Sequence, residues 1–337
     1  MISSQFYDGQ GLGNQLWAYV VLRSLASRHG FSFGVQHPEK FKGKNIFEID
    51  FGKSVIGGEG PEGGPPTKLP QHIDYYINES RLFENKTGLD VTSVDTALLN
   101  ISDSTKFDGN FQSLKYLTGF EHHIRSWLKL RPIQMRNNEL GSDVCVVHVR
   151  GGDYLNTFSF LPRKFYEDAM RTIKNTSPNV KFVAVTDDLK YCKNILPNIP
   201  IVGSTPFNKI DEFRAKHHLG GNIEEDFAIL NTAKYIILSA STFSFWAVYL
   251  NTDKPFVIAP KYWFAFSKSN GWWSTPDCII PSWQYLDRRG KLYNGKQCID
   301  EAITPQSSAV VKLNKVASFV FRIERKLAKI LMSQNRI

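Results

Sequence analysis

Residues 144–149, Val-Cys-Val-Val-His-Val, are apolar but for one imidazole, and similar short runs recur at 181–186, 199–202, 235–239 and 255–258. Between them lie segments whose apolar positions repeat at three and four, at 162–174, 188–196, 224–233 and 243–250. Short apolar runs alternating with helical crossovers predict a mostly parallel sheet covered on both faces. Ahead of this series, residues 2–7 read as a strand and "GQGLGNQ" (9–15) as a glycine turn. Residues 16–29 then read as a helix, with Leu16, Tyr19, Val20, Leu22 and Leu25 at helical spacing. Residues 57–66, "GGEGPEGGPP", predict a loop, because eight of the ten are Gly or Pro. No repeat of fixed period is present.

The polar, Pro- and Gly-bearing stretch 131–143 marks a domain boundary. It gives an amino-terminal α/β domain over 1–140, a second Rossmann-like domain over 141–305 and a tail over 306–337. The tail places Val316, Phe319, Val320, Ile323, Leu327, Ile330 and Leu331 on one face of a basic amphipathic helix. Residues 309–337 hold seven Lys or Arg against one acid, out of a formal charge of +9 for the 337-residue chain. That helix fits either peripheral contact with an anionic membrane or packing against the first domain.

The basic balance suits a partner carrying phosphate, but no basic-aromatic module points to nucleic acid. Four scattered cysteines without a C-x-x-C pair support neither a zinc site nor a disulfide framework. No basic leader and no run of 18 apolar residues appears, so a cytoplasmic chain is expected, peripheral on a membrane at most. Sequons at Asn78, Asn85, Asn100 and Asn175 leave a Golgi-lumenal setting open only if an anchor precedes this sequence.

Candidate chemistry sits at the carboxyl ends of the predicted strands, where ligands bind in such sheets. After 144–149 come Arg150, Gly151, Gly152 and Asp153. An Arg there is either a fork for two phosphate oxygens or half of a structural ion pair with Asp153 or Asp187. After 181–186 come Asp187, suited to orienting Arg150, and Asp188, suited to capping the next helix. After 235–239 the hydroxyl-rich turn "SASTFSFW" brings Ser241 and Thr242 to a helix amino end, as caps or as an anion site. The "GQGLGNQ" turn does not complete G-x-G-x-x-G, and no P-loop, zincin or nucleophile-elbow motif exists. The absence of an Asp-x-Asp pair favours chemistry without a metal.

"GLGNQLWAY" (11–19), "HVRGGDY" (148–154) and "EDFAILNTAKYIILSASTFSFWAVYL" (225–250), in this order, resemble the motifs of the inverting alpha-1,2-fucosyltransferases. "VTDDLKYCKNIL" and "APKYWF" are secondary matches. The resemblance implies a GT-B-like enzyme, two Rossmann-like domains facing a cleft, that uses GDP-fucose and no metal. It assigns the donor diphosphate to Arg150, the nucleotide surroundings to His148 and Asp226, and the phosphate side to Ser241, Thr242 and Ser244. Similarity to protein O-fucosyltransferases picks out Asn14 as a catalytic candidate facing the cleft from the first domain, with Gly13 and Gln15 beside it on the acceptor side. Asp153 is the candidate base by position, although a carboxylate beside Arg150 is a weak one. The family usually carries a second Arg where this sequence has Gly151, which bears on the donor.

Trp263, Phe264, Phe266, Trp272, Trp273 and Trp283 are either an acceptor platform or ordinary packing. The implied reaction joins L-fucose to a glycan hydroxyl, the 2-OH of a galactoside by family likeness. The other readings are a transferase of another GDP- or UDP-sugar and a non-catalytic glycan- or nucleotide-binding protein.

Overall fold

The computed structural model describes residues 1–57, 68–79, 82–84, 89–91, 94–132, 140–152, 154, 161–204, 222–261, 278–287, 289–303, 323 and 326. The chain divides into two compact units, Met1–Leu82 with Val91–Pro132 and Phe83–Asp90 with Ile133–Ile337. The division thus falls earlier in the 131–143 region than the expected 140/141. The predicted basic tail lies outside the described residues except at Ile323 and Lys326, as does the Gly/Pro loop beyond Gly57.

In the first unit, β1 (Ile2–Gln5) leads through α1 (Leu12–His29) to β2 (Phe33–Gln36), which pairs with β1 in parallel. Helix α1 starts earlier than expected, so part of the predicted glycine turn is helical. Gly11, extended at φ −69° and ψ 149°, caps it, and Gly13, Asn14 and Gln15 form its first turn. First-turn amides have no intrahelical partner, so poor helix formers are tolerated there. Leu16, Trp17, Val20, Val21 and Leu25 are all buried around the helix. Such burial on all sides marks a core helix.

The unit continues with β3 (Phe47–Glu48), β4 (Tyr75–Asn78), α2 (Thr96–Leu99), β7 (Thr105–Asp108), α3 (Ile124–Trp127) and β8 (Lys129–Leu130), while β5 (Leu82–Glu84) and β6 (Leu89–Val91), which pair with each other, fall largely in the Phe83–Asp90 segment of the second unit. Its main sheet runs β2-β1-β7-β4, parallel throughout.

The second unit comprises β9 (Val144–Val149), α4 (Arg163–Thr176), β10 (Lys181–Thr186), α5 (Leu189–Ile195), β11 (Ile201–Ser204), α6 (Ile223–Thr232) and β12 (Tyr235–Ile237). It ends with α7 (Thr242–Tyr249), β13 (Phe256–Pro260), β14 (Gln284–Leu286), β15 (Leu292–Asn294) and α8 (Gly295–Ile303). The seven strands lie in the order β11-β10-β9-β12-β13-β14-β15, all parallel except the last pair. The chain winds outward from β9 to β11, returns to β12 on the other side of β9, and winds outward again. This is the doubly wound arrangement, and the reversal between β9 and β12 is its switch point.

Val147, Val149, Tyr166, Ala184, Ile237 and Ile258 belong to the core of this sheet. Among the described residues no helix is long and apolar enough to cross a membrane.

Candidate active site

At the switch point the strand ends converge. Arg150 follows β9, and its Nη1 lies 2.7 Å from Asp187 Oδ2, just beyond the neighbouring β10. The Arg150 side chain is 12% and that of Asp187 7% exposed. The Tyr154 ring lies 4.8 Å from the guanidinium carbon, a cation–π contact. Asp187 Oδ1 accepts from the Gly151 amide at 2.8 Å, and Asp188 Oδ2 from the Gly152 amide at 3.1 Å. Asp188 Oδ1 also accepts from the Tyr191 amide at 2.9 Å and caps α5, the capping reading of that residue. Two acids after β10 therefore hold the turn after β9, and Arg150 forms the ion pair with Asp187 that was one of its expected roles, which gives the cation one orientation.

This turn needs its glycines. Gly152 has φ +44°. A Cβ on Gly151 would stand 2.6 Å from Asp188 Cβ, closer than real side chains approach. The second Arg of the family pattern therefore has no room here while Asp188 keeps its position.

Across the switch point, His148 Nδ1 lies 2.6 Å from Ser239 Oγ, joining the end of β9 to the chain after β12. His148 is 5% exposed. Burial, with the Arg150 charge as a second cause, lowers its pKa to about 3, so the ring is neutral at ordinary pH. Phe243 lies 6.4 Å from the imidazole centroid and packs edge-on against Phe227. Sequence reasoning missed Ser239, although its position as the first hydroxyl after an apolar run was the signal for it.

Ser241 is the N-cap of α7, yet its hydroxyl makes no capping hydrogen bond. The ordinary capping reading is therefore not realised at Ser241, and Thr242 opens the helix beside it. Ser244 differs from the expectation of a phosphate contact. It is fully buried and donates to the Ser241 carbonyl at 3.2 Å, so it supports the turn from within. Asp226 is buried in the first turn of α6, whose cap Asn222 accepts from the Glu225 amide at 2.8 Å. A Cβ on Gly203 of β11 would meet Asp226 Oδ1 at 2.2 Å, so the carboxylate lies directly on that strand.

In the first unit, Asn14 Oδ1 accepts from Gln112 Nε2 at 3.3 Å, which brings residues following β1 and β7 together. Gln15 departs from its acceptor-side assignment. It is buried, donates to the Lys40 carbonyl at 3.0 Å and accepts from the Lys42 amide at 2.9 Å, so both ends of its amide clamp that loop. Gly13 is buried in the same turn. Asp153 and Trp263 lie outside the described residues, as do Phe264, Phe266, Trp272 and Trp273. Trp283 is buried against Phe245, ring centroids 5.6 Å apart, and is a packing residue. Among the described residues no three His, Cys, Asp or Glu side chains group to hold a metal ion.

The arrangement offers a fixed guanidinium and a helix amino end at one switch point, which is what a negatively charged, phosphate-bearing ligand requires. The family model for Glycosyl transferase family 11 matches residues 72–287, which include every candidate of the second unit but not Asn14. An alpha-1,2-colitosyltransferase of Escherichia coli is 29% identical over 192 residues, 53% of this chain and 62% of that protein. The Escherichia coli O-antigen biosynthesis glycosyltransferase WbnK is 28% identical over 131 residues, 35% of this chain and 38% of that protein. The match thus spans less than two thirds of either relative. Among solved structures, a mutant of Arabidopsis thaliana FUT1 in complex with GDP has a TM-score of 0.41 at 11% identity, covering 82% of this chain and 73% of that one. The glycosyl transferase family 9 protein of Veillonella parvula has a TM-score of 0.39 at 10% identity, covering 96% and 97%.

Proposed function

This chain belongs to glycosyl transferase family 11, and from that premise we propose that it transfers L-fucose from GDP-beta-L-fucose to a glycan hydroxyl, with inversion and without a metal. The observation that carries the reading is the convergence at the switch point of Arg150, held at 2.7 Å by Asp187, with the His148–Ser239 bridge at 2.6 Å. In the proposed reaction the acceptor oxygen attacks the anomeric carbon as the bond from that carbon to the diphosphate breaks. The electron pair leaves with GDP, so the demand for positive charge grows at the diphosphate. Arg150, Ser241, Thr242 and the amino end of α7 meet that demand without reorganising at the moment of reaction. The neutral His148 contributes shape and a hydrogen bond and adds no charge beside the Arg150–Asp187 pair. Asp226 serves the nucleotide side from α6, and Asp153 is retained as the candidate proton acceptor.

A second donor is favoured by two observations. A relative matched over 192 residues is named for colitose, the 3-deoxy counterpart of fucose, and the turn at Gly151 excludes the family's second Arg. We therefore place a colitosyl donor beside the fucosyl one, and an acceptor from bacterial-type surface glycans beside the galactoside.

The deciding experiment is a donor panel of GDP-fucose, GDP-colitose, GDP-mannose and UDP-galactose, scored for transfer and hydrolysis with and without EDTA. Turnover confined to one of the first two and indifferent to EDTA is expected. Turnover of UDP-galactose alone, or its loss with EDTA, would overturn the reading. Arg150→Lys keeps the charge next to Asp187 but loses the fork, and should lower kcat by about 10²-fold.

A further inference from the structure

The first unit carries a group of buried polar side chains that the nucleotide site does not use. Register sets Tyr76 beside Lys106, Asn78 beside Asp108, and Ser3 beside Lys106. Registered partners share a face of a sheet and alternate residues return to it, so one face of β1, β7 and β4 bears Ser3, Gln5, Lys106, Asp108, Tyr76 and Asn78. Covered faces of parallel sheets are ordinarily Val, Ile and Leu. Here Lys106 and Asp108 are each only 3% exposed.

Lys106 Nζ donates to Gln5 Oε1 at 2.5 Å and lies 3.6 Å from Asp108 Oδ2. Tyr7, just past β1, and Tyr76 face the same carboxylate with their hydroxyls, which favours its charged form against the larger opposing effect of burial. Neither Asp108 oxygen, nor the Tyr7 hydroxyl, nor Ser3 Oγ completes a hydrogen bond of normal geometry within the protein. Leaving such groups unsatisfied costs on the order of 1–3 kcal/mol each. Buried groups of this kind are ordinarily satisfied by ordered water or by a ligand.

The charge of the group selects the ligand. One ammonium and one carboxylate cancel, so the group presents donors and acceptors and no net charge. Burial pushes the Asp108 carboxyl up and the Lys106 amine down, and holds the Tyr76 phenol at about 12, a donor at all working pH values. Glu79, beyond β4, is occupied by the Asn110 and Phe111 amides at 2.9 Å and by the Tyr116 hydroxyl at 3.0 Å. The group lies at the carboxyl ends of β1 and β7, the strands that also lead to Asn14 and Gln112, and the half-exposed rings of Tyr7 and Tyr76 border solvent.

We propose that Tyr7, Tyr76, Lys106 and Asp108 form a subsite for the hydroxyls of an uncharged saccharide, the acceptor of the transfer. The choice of a sugar acceptor rests on the glycosyltransferase reading; the placement of a neutral polyol rests on this group alone.

Tyr76→Phe removes one hydroxyl from a half-exposed side chain, and Asp108→Asn removes the charge while keeping the shape. With donor saturating, each should lower kcat/KM for the acceptor roughly tenfold, while donor hydrolysis without acceptor and the thermal shift by GDP stay within about twofold of wild type. Unchanged acceptor kinetics in Tyr76→Phe overturn the inference, and so does an equal fall in donor hydrolysis; if Asp108→Asn does not fold, Tyr76→Phe decides alone. If the wild-type protein turns over no nucleotide sugar, the donor reading fails separately. The subsite is then read by saturation-transfer NMR with lactose, maltose and cellobiose. A signal in wild type that Tyr76→Phe loses supports the subsite, and no wild-type signal, or one that the variant keeps, overturns it.

Discussion

A histidine in hydrogen-bond reach of a serine suggests a charge relay, but burial decides otherwise for His148. Its pKa is lowered to about 3, so the imidazole stays neutral while an unfolded chain takes up a proton near pH 6.5. Between these values the unfolded state binds the extra proton, and stability rises with pH. It is therefore lost as pH falls from about 6.5 toward 3, by up to about 1.4 kcal/mol per pH unit from this residue. Denaturant midpoints measured across that window should slope less in His148→Gln than in wild type; identical slopes would show that the ring is not held neutral. The same residue shows where reading from sequence stops. Its place at a strand end was legible, but its partner Ser239, 2.6 Å away, depends on β12 lying next to β9.

Two helices of the second unit begin alike and differ in what their caps do. Asp188 binds the Tyr191 amide of α5 at 2.9 Å, whereas the Ser241 hydroxyl at α7 is not used for capping. Asp188→Ala should therefore cost about 1 kcal/mol or more in unfolding free energy. Ser241→Ala should leave stability nearly unchanged yet weaken GDP binding about tenfold, as loss of one hydrogen bond to a charged oxygen does. Calorimetric unfolding beside GDP titration separates the two, and a stability loss at Ser241 equal to that at Asp188 would make both simple caps. Elements were legible where burial was two-sided. β9 and β10 read as apolar runs because helices cover both faces. β2, β4 and β7 escaped notice because Gln36, Tyr76, Lys106 and Asp108 interrupt them. These are largely the residues of the inferred subsite, so the polar face that hid the strands is the one with a use. β14 and β15, three residues each, are too short to show a period.

At the scale of the whole molecule, stability comes from cores that leave no thiol at the surface. Cys145, Cys192, Cys278 and Cys298 are all buried. Burial raises the Cys145 thiol well above its usual range and pushes Cys192 up to about 12, so neither supplies thiolate at neutral pH. Iodoacetamide should leave all four unmodified in native protein and modify all four in denaturant, as intact-mass spectrometry would register; rapid native labelling would mean that a core opens on its own.

The second sheet ends differently from the way it is built, with β15 antiparallel on β14. Lys261 Nζ sits 3.3 Å from the Tyr293 ring centroid and Lys291 Nζ 4.8 Å from it, so two cations crowd the last strand. A sheet margin only three residues long and flanked by lysines is a poor template for a strand from a second copy. The hairpin therefore closes β14 with an edge ill suited to further pairing, and a chain trimmed before Leu292 should leave an open, adhesive border along β14.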